Sequence, residues 1–314
     1  MLLEMPFLLR VAWGQASNFT KEGLDMPTTY THYRFGKDVI DSLPRQLKAD
    51  VKNNRQLFDI GVHGPDILFY TKSPFKDHVR KTGTGLHHQS AEGFFRNSAK
   101  VIRKAADKSA ARAYLYGLIT HFVLDSESHK YVEKMIQESG VGHNEIEAEF
   151  DAYLLEKDKY NPHTYNRTIH IRPSIKKAKV IAPFFNNIFV KGVTKKNPIR
   201  NVITASDINE TIASQIVIHK ILTPKTPFNR KLLYIATELV GNDKDSIRGL
   251  IINERPNPKC TKYNYILERI YSESIPLAVS LITQYEDFLL GKGELPKRFD
   301  KPYDEGDDWE NVIL

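Results

Sequence analysis

The stretch His121-Phe122-Val123-Leu124-Asp125-Ser126-Glu127-Ser128-His129, followed by His143-Asn144-Glu145-Ile146-Glu147, decides how this chain is read. In the first segment three metal-ligand types recur at i, i+4 and i+8. An α-helix advances about 100° per residue, so His121, Asp125 and His129 fall within a sector of roughly 80° and face one way. The second segment opens another helix with ligand types at i and i+4, a spacing that closes on one metal from a single helix face. One histidine on a helix is more often a partly buried structural residue than a ligand. Five ligand-type residues in two such arrays are different, because the first array interrupts an otherwise apolar helix. Burying an ionised Asp125 among imidazoles is costly unless cations compensate.

Outward from these segments, Arg112 to Lys134 gives the clearest helical pattern, with Leu115, Leu118, Ile119, Phe122 and Val123 on one apolar face. Ser139-Gly140 provides a stop, and Asn144 to Leu155 resumes the period through Ile146, Phe150, Tyr153 and Leu154. Upstream, Asp38 to Val51 carries apolar residues at helical spacing, while Gly64-Pro65 and Gly83 through Gly85 read as loops. Downstream, residues 161–202 mix proline, basic and aromatic residues without a steady period, and Asp207–Leu222, Phe228–Leu239 and Tyr263–Leu290 look helical. Alternating strand patterns are nearly absent. The expected fold is therefore all-α: a single mainly helical domain over residues 26–290 with irregular loops. A Pro- and acid-rich tail, residues 291–314, is expected to wrap the surface or fray.

Composition narrows the chemistry. The chain has 314 residues, 41% hydrophobic and 26% charged, the profile of a globular protein rather than a disordered one. No run of about 18 apolar residues marks a transmembrane segment. The single cysteine, Cys260, excludes an internal disulfide and every cysteine-rich zinc motif, so any metal must be held by nitrogen and oxygen. A formal charge of +7 favours a phosphate-bearing partner or an anionic surface. The basic residues Lys176, Lys177, Lys179, Lys191, Lys195, Lys196 and Arg200 read first as a solvated loop face.

Residues 1–25 resemble neither a domain start nor an export signal, since Glu4 and Arg10 break the short apolar run. A cytoplasmic location is the expectation. Lys21-Glu22-Gly23 can be encoded by a purine-rich ribosome-binding sequence, spaced by Leu24 and Asp25 from a start codon at Met26. Translation is therefore expected to begin at Met26, and removal of that methionine would expose the amine of Pro27 five residues ahead of His32.

The pattern Thr120-His-Phe-Val-Leu-Asp-Ser-Glu-Ser-His129, followed by Gly142-His-Asn-Glu-Ile-Glu147, resembles the core of the zinc-dependent phospholipase C family. That superfamily includes clostridial alpha-toxin and fungal single-strand-specific nucleases, helical proteins holding three zinc ions. Thr31-His32-Tyr33 resembles the family's N-terminal histidine, Gly64-Pro65-Asp66 its early aspartate, and His87-His88 the histidine that follows. The resemblance runs from Pro27 to about Tyr160. It implies that Asp66, one of His87 and His88, His121 and Asp125 hold a first zinc. Asp125 would bridge to a second zinc served by His32, and His129, His143 and Glu147 would hold a third. Either of His87 and His88 fits the pattern, with His88 preferred, and His63 reads as a loop or supporting residue. Two features depart from the family. Four residues separate Asp125 from His129, a shorter step than in secreted members, and the N-terminal tryptophan is missing, its chelating role passing to the amine and carbonyl of Pro27.

The function implied is hydrolysis of a phosphate ester, phospholipase C-like, with two to three Zn2+ ions supplying an acidified water and clamping phosphoryl oxygens. Asp66 is either a ligand or the catalytic group that orients and deprotonates the water. A phospholipid is the substrate the family suggests, with peripheral contact to a membrane surface. A single-strand nuclease acting on nucleic acid is the alternative, and a non-catalytic metal-binding protein a third reading. An interleaved aromatic and basic groove would favour nucleic acid; an apolar rim would favour lipid. Tyr30, Tyr33, Phe69 and Tyr70 are candidates to line the cleft.

Overall fold

The long helix that carries His121, Asp125 and His129 is the axis of the molecule. In the computed structural model, residues 29–71, 77–186, 188, 202–238, 244–304 and 312–314 are described, and among them there is no strand. The helices are α1 (Thr29–Ser42), α2 (Arg45–Asn53), α3 (Arg55–Gly61), α4 (Asp77–His87), α5 (Glu92–Lys104), α6 (Lys108–Ser139), α7 (His143–Lys157), α8 (Ile175–Phe185), α9 (Ala205–Ile221), α10 (Pro227–Thr237), α11 (Lys244–Gly249), α12 (Pro258–Thr261) and α13 (Asn264–Leu289). Two 3₁₀ segments, Gly64–Tyr70 and Lys297–Asp300, complete the order.

Helix α6 starts where the Asp107 side chain accepts the Ala110 N–H at 2.9 Å, and stops where Gly140 adopts a left-handed φ of 67°. Every residue from 113 to 126 is buried, so this stretch has no solvent face. A helix apolar on all sides belongs inside a bundle. α3, α2, α13 and α1 all pack against it. The α3 crossing is unusually close. A Cβ on Gly61 would sit 2.2 Å from the Tyr114 carbonyl oxygen, and one on Gly117 would sit 2.3 Å from that of Phe58. Only paired glycines allow this approach, and it aims the segment after α3 at the centre of α6. Glu286 of α13 accepts from Arg112 at 3.0 Å and from the Tyr116 hydroxyl at 2.8 Å.

Helix α7 returns along α6 and holds the start of α1. The fully buried Asp151 accepts from Tyr30 N–H at 3.2 Å, Thr31 N–H at 2.8 Å and the Thr31 hydroxyl at 2.7 Å. A carboxylate at a helix N-terminus satisfies donors that have no partner within the helix and complements its dipole. It also sets the rotation of α1, and so the direction of His32. Asp151→Ala would strand these donors and leave the buried Arg167, 3.9 Å away, without its counter-charge. At about 1–3 kcal/mol per orphaned buried donor, the expected destabilisation is about 3 kcal/mol or more in urea unfolding. The exposed Asp41→Ala should cost under about 0.5 kcal/mol, and equal midpoints for the two variants would refute the capping role.

Several sequence expectations change. The apolar pattern over 38–51 is two helices rather than one, because Pro44 lacks an N–H and breaks the ladder, while α1 begins as early as Thr29. Gly83 through Gly85 lie within α4, where a Cβ at Gly83 would come within 3.0 Å of the Phe69 ring, so close packing outweighs the low helix propensity of glycine. Residues 161–202 contain α8, whose inner face is Ala178, Ile181, Ala182 and Phe185, with Lys176 and Lys179 exposed; Lys191, Lys195, Lys196 and Arg200 lie outside the described residues. Part of the C-terminal tail enters the main core: Leu295, Phe299 and Tyr303 are buried there, apolar side chains that composition alone had assigned to the surface. No described helix is long and apolar enough to cross a membrane.

Candidate metal centre

Three elements converge on one point inside the bundle, and a fourth adjoins it. α1 brings His32, the 3₁₀ segment brings Asp66, and α6 brings His121 and Asp125; one ligand atom from each lies within 4.8 Å of all the others. Gly64 makes this possible. It has a φ of 53°, and a Cβ there would stand 2.0 Å from His121 Cδ2, so the chain turns flush against the imidazole before delivering Asp66. His87, in the last turn of α4, joins from the Asp66 side with Nε2 2.8 Å from Oδ1. Its Nδ1 donates to the Gly83 carbonyl at 2.8 Å, which leaves Nε2 turned inward for a ligand. The residue before a helix end and the one after it differ by about 100° in direction. His88 accordingly points outward, its side chain 56% exposed and 3.5 Å from Asp304, so the structure brings His87 to the centre and not the preferred His88.

The spacing within this inner group is that of donors around an ion. His32 Nε2 is 3.1 Å from Asp125 Oδ1, His121 Nε2 is 2.9 Å from Asp125 Oδ2 and 3.4 Å from Asp66 Oδ2. Metal–ligand bonds of about 2.0–2.2 Å at tetrahedral or octahedral angles put neighbouring donors roughly 2.9–3.5 Å apart. Yet both Asp66 oxygens and His121 Nε2 are buried without a properly directed hydrogen bond. They aim at shared points between them rather than at one another. All five residues are buried, and only nitrogen and carboxylate donors are present, a set suited to zinc.

Electrostatics agree. Burial pulls the His32 pKa down, but the adjoining Asp125 carboxylate outweighs it and the net shift is upward. Burial pushes Asp125 up, and His121 and His32 together drive it well below the usual carboxylate range. Burial opposes protonation of His87 too, but Asp66 lifts it to about 9. Without an ion, protonated imidazoles must supply the positive charge that the two carboxylates demand.

A second group, His129 of α6 with His143 and Glu147 of α7, again has one ligand atom from each within 4.8 Å. His143 Nε2 is 3.0 Å from Glu147 Oε1, and the His129 and His143 rings are 5.4 Å apart. These side chains are part-exposed, so the centre grades from a closed inner group to an open outer one. A cavity of about 30 Å3 lies between the groups, lined on its polar side by His32, Asp125, Ser128 and Glu147 and on its apolar side by residues including Leu124, Phe150 and Leu267.

The sequence did not reveal a buried polar network beside the centre. The His63 and His170 Nε2 atoms are 2.8 Å apart, and Gln215 Nε2 lies 3.3 Å from His63 Nδ1. Tyr33 stacks on His170 at 3.9 Å, and His219 meets Thr29 and Tyr70 at 3.0 and 2.9 Å. His63 thus supports the wall rather than joining either group, and no spacing could have linked residues 63, 170 and 219. Burial holds His170 down to about 3 and His219 well below 6.5, so both stay neutral in the fold. Unfolded, each takes a proton as pH falls below about 6.5. Stability is therefore complete above that value and is lost below it, at roughly 1 kcal/mol per pH unit for each residue. Urea midpoints of the metal-free protein should drop between pH 7 and 5, and His219→Gln should flatten the slope; an unchanged slope would contradict this assignment.

A helical bundle with two adjoining His/Asp/Glu groups at its axis defines the class as an all-α protein with a metal-binding donor set. The family model described as zinc dependent phospholipase C matches residues 31–197, more than half of the chain, and the chain belongs to that family. No curated protein and no solved structure gives a significant match.

Proposed function

We propose that this protein hydrolyses a phosphate ester at the centre between His32 and Glu147, with a phosphodiester of the phospholipid type as substrate. The observation that carries the reading is the division of Asp125, one oxygen beside His32 and the other beside His121, as expected for a carboxylate shared by two ions. His87, Asp66, His121 and Asp125 would hold one ion, His32 and Asp125 another, and His129, His143 and Glu147 a third. Bound divalent ions would acidify a water and neutralise phosphoryl charge. The chain's residues supply the rest. Asp66, between His87 and His121 with both oxygens lacking hydrogen bonds, would serve either as that ligand or as the group that orients a water and takes its proton. The buried inner group excludes bulk water, the cavity of about 30 Å3 beside it has room for little more than a water, and a phospholipid-type substrate is what membership of the family suggests.

One observation favours the nuclease alternative. Tyr33, Tyr160 and Tyr165 cluster with Tyr30 on the α1 side, and Lys37 and Arg55 lie 5.1 and 6.0 Å from the Tyr33 ring. Stacking platforms flanked by cations bind single strands. Zinc-loaded protein assayed against phosphatidylcholine, single-stranded DNA and a generic phosphodiester separates the readings. Phosphocholine release is expected; cleavage of DNA alone would install the nuclease, and inertness toward all three would leave a metal-binding protein without turnover. The expected role of the Pro27 amine lies outside the described residues and enters as a proposal: an N-terminal tag should then cost one ion.

A further inference from the structure

Helix α10 is apolar on two sides. Its inner face holds the buried Arg230, Leu233 and Ala236. Leu233 and Ala236 pack with Ile218 of α9, Ile247 of α11 and Tyr70 of the 3₁₀ segment that carries Asp66. Arg230 fastens the helix from within, donating to the Ile252 carbonyl at 2.6 Å and lying 3.1 Å from His163 Nδ1. These contacts set the rotation of α10 and leave its other side facing solvent.

On that side Phe228 is 67% exposed and Ile235 55% exposed, with the half-buried Leu232 between them. At about 100° per residue the three fall within a sector of roughly 60°. Lys231 borders the sector and Lys225 stands just before the helix, both exposed. Two acids close to α10 are already held, Glu238 by Arg248 and Glu254 by Arg230 at 3.5 Å. Exposed apolar side chains gathered on one face mark an interaction site, and an apolar stripe edged by lysines is the composition of a helix that lies in a lipid interface. A second copy of the same face would set lysine against lysine, so charge disfavours self-association and favours an anionic partner.

The same helix stands at the rim of a cleft of about 890 Å3, which Tyr234 of α10 lines together with Arg248, Asn253, Lys259 and His143 of the outer metal group. We infer that the outer face of α10 docks this protein on an anionic lipid surface. Phe228, Leu232 and Ile235 enter the boundary between headgroups and acyl chains, and Lys225 and Lys231 meet lipid phosphates. The inference rests on the phospholipid reading above and names the surface that brings such a substrate to the cleft. α10 lies beyond residues 31–197, so this face is no part of the matched family region.

The test is flotation of zinc-loaded protein with vesicles of equal parts phosphatidylglycerol and phosphatidylcholine, measured on ice. Wild type should bind, with an affinity that falls as salt rises. Phe228→Ser combined with Ile235→Ser should bind at least about tenfold more weakly and keep its metal content and helical circular dichroism, since both side chains are exposed. Lys225→Gln combined with Lys231→Gln should flatten the salt dependence. A wild type that fails to float, or a serine variant that floats like wild type, would overturn the docking. So would a wild-type dimer in sedimentation velocity that the serine pair converts to monomers, because the face would then belong to a second copy. Turnover is scored separately on a water-soluble short-chain phosphodiester: an inert protein that still floats overturns the hydrolysis and supports the docking.

Discussion

Asp125→Asn is expected to lower phosphate-ester hydrolysis roughly a thousandfold, about 4 kcal/mol of barrier, and to remove at least one ion while the helices remain folded. The carboxylate presents its oxygens to His32 and His121 at 3.1 and 2.9 Å. An amide keeps the volume, so packing is undisturbed, but offers one neutral oxygen and a donor where two anionic oxygens stood. If Asp125 bridges two ions as proposed, both would lose their shared counter-charge together. The metal-free fold should suffer much less, because a neutral group at this buried position no longer needs protonated histidines beside it. Elemental analysis, hydrolysis rate and thermal unfolding with and without zinc separate these effects. Full metal content with undiminished turnover would remove Asp125 from the bridging position.

Gly64→Ala should damage the same centre from the backbone side. The left-handed conformation costs an alanine about 1–2 kcal/mol, and its Cβ would sit 2.0 Å from His121 Cδ2, so His121 or the whole 3₁₀ segment must move. Overpacking of that kind typically adds 1–3 kcal/mol. A total loss of about 3 kcal/mol is expected, together with weaker zinc binding, because Asp66 lies two residues on. Gly93→Ala is the contrast. Its Cβ meets nothing within 4 Å, and in the first turn of α5 it should be neutral or stabilising. If Gly64→Ala unfolds at the wild-type temperature with wild-type zinc affinity, the tight approach to His121 is not what positions the site.

Legibility in the sequence followed the range of the physics. Spacings of four residues within one helix are a local property, so the arrays His121, Asp125, His129 and His143, Glu147 announced both groups, and the family resemblance added His32 and Asp66 from short motifs. The paired His87 and His88 stayed undecided, because the direction of each depends on how α4 packs, which no local rule supplies. Gly83 to Gly85 misled for the same reason: glycine propensity argued for a loop, while the close fit against Phe69 keeps the helix.

The sequence by itself determined that the chain is helical, that its donors are nitrogen and oxygen, and which residues of α6 and α7 face a common partner, since periodicity and the lone Cys260 suffice for these. Only the tertiary structure decided that His87 rather than His88 turns inward, and that two carboxylates and three imidazoles share one buried space. The same holds for the network around His63 and for the burial of Tyr303 from the tail. These are contacts between residues far apart in the chain. They depend on the glycine-paired crossing of α3 and α6 and on the burial of Phe299, which a helical period cannot express.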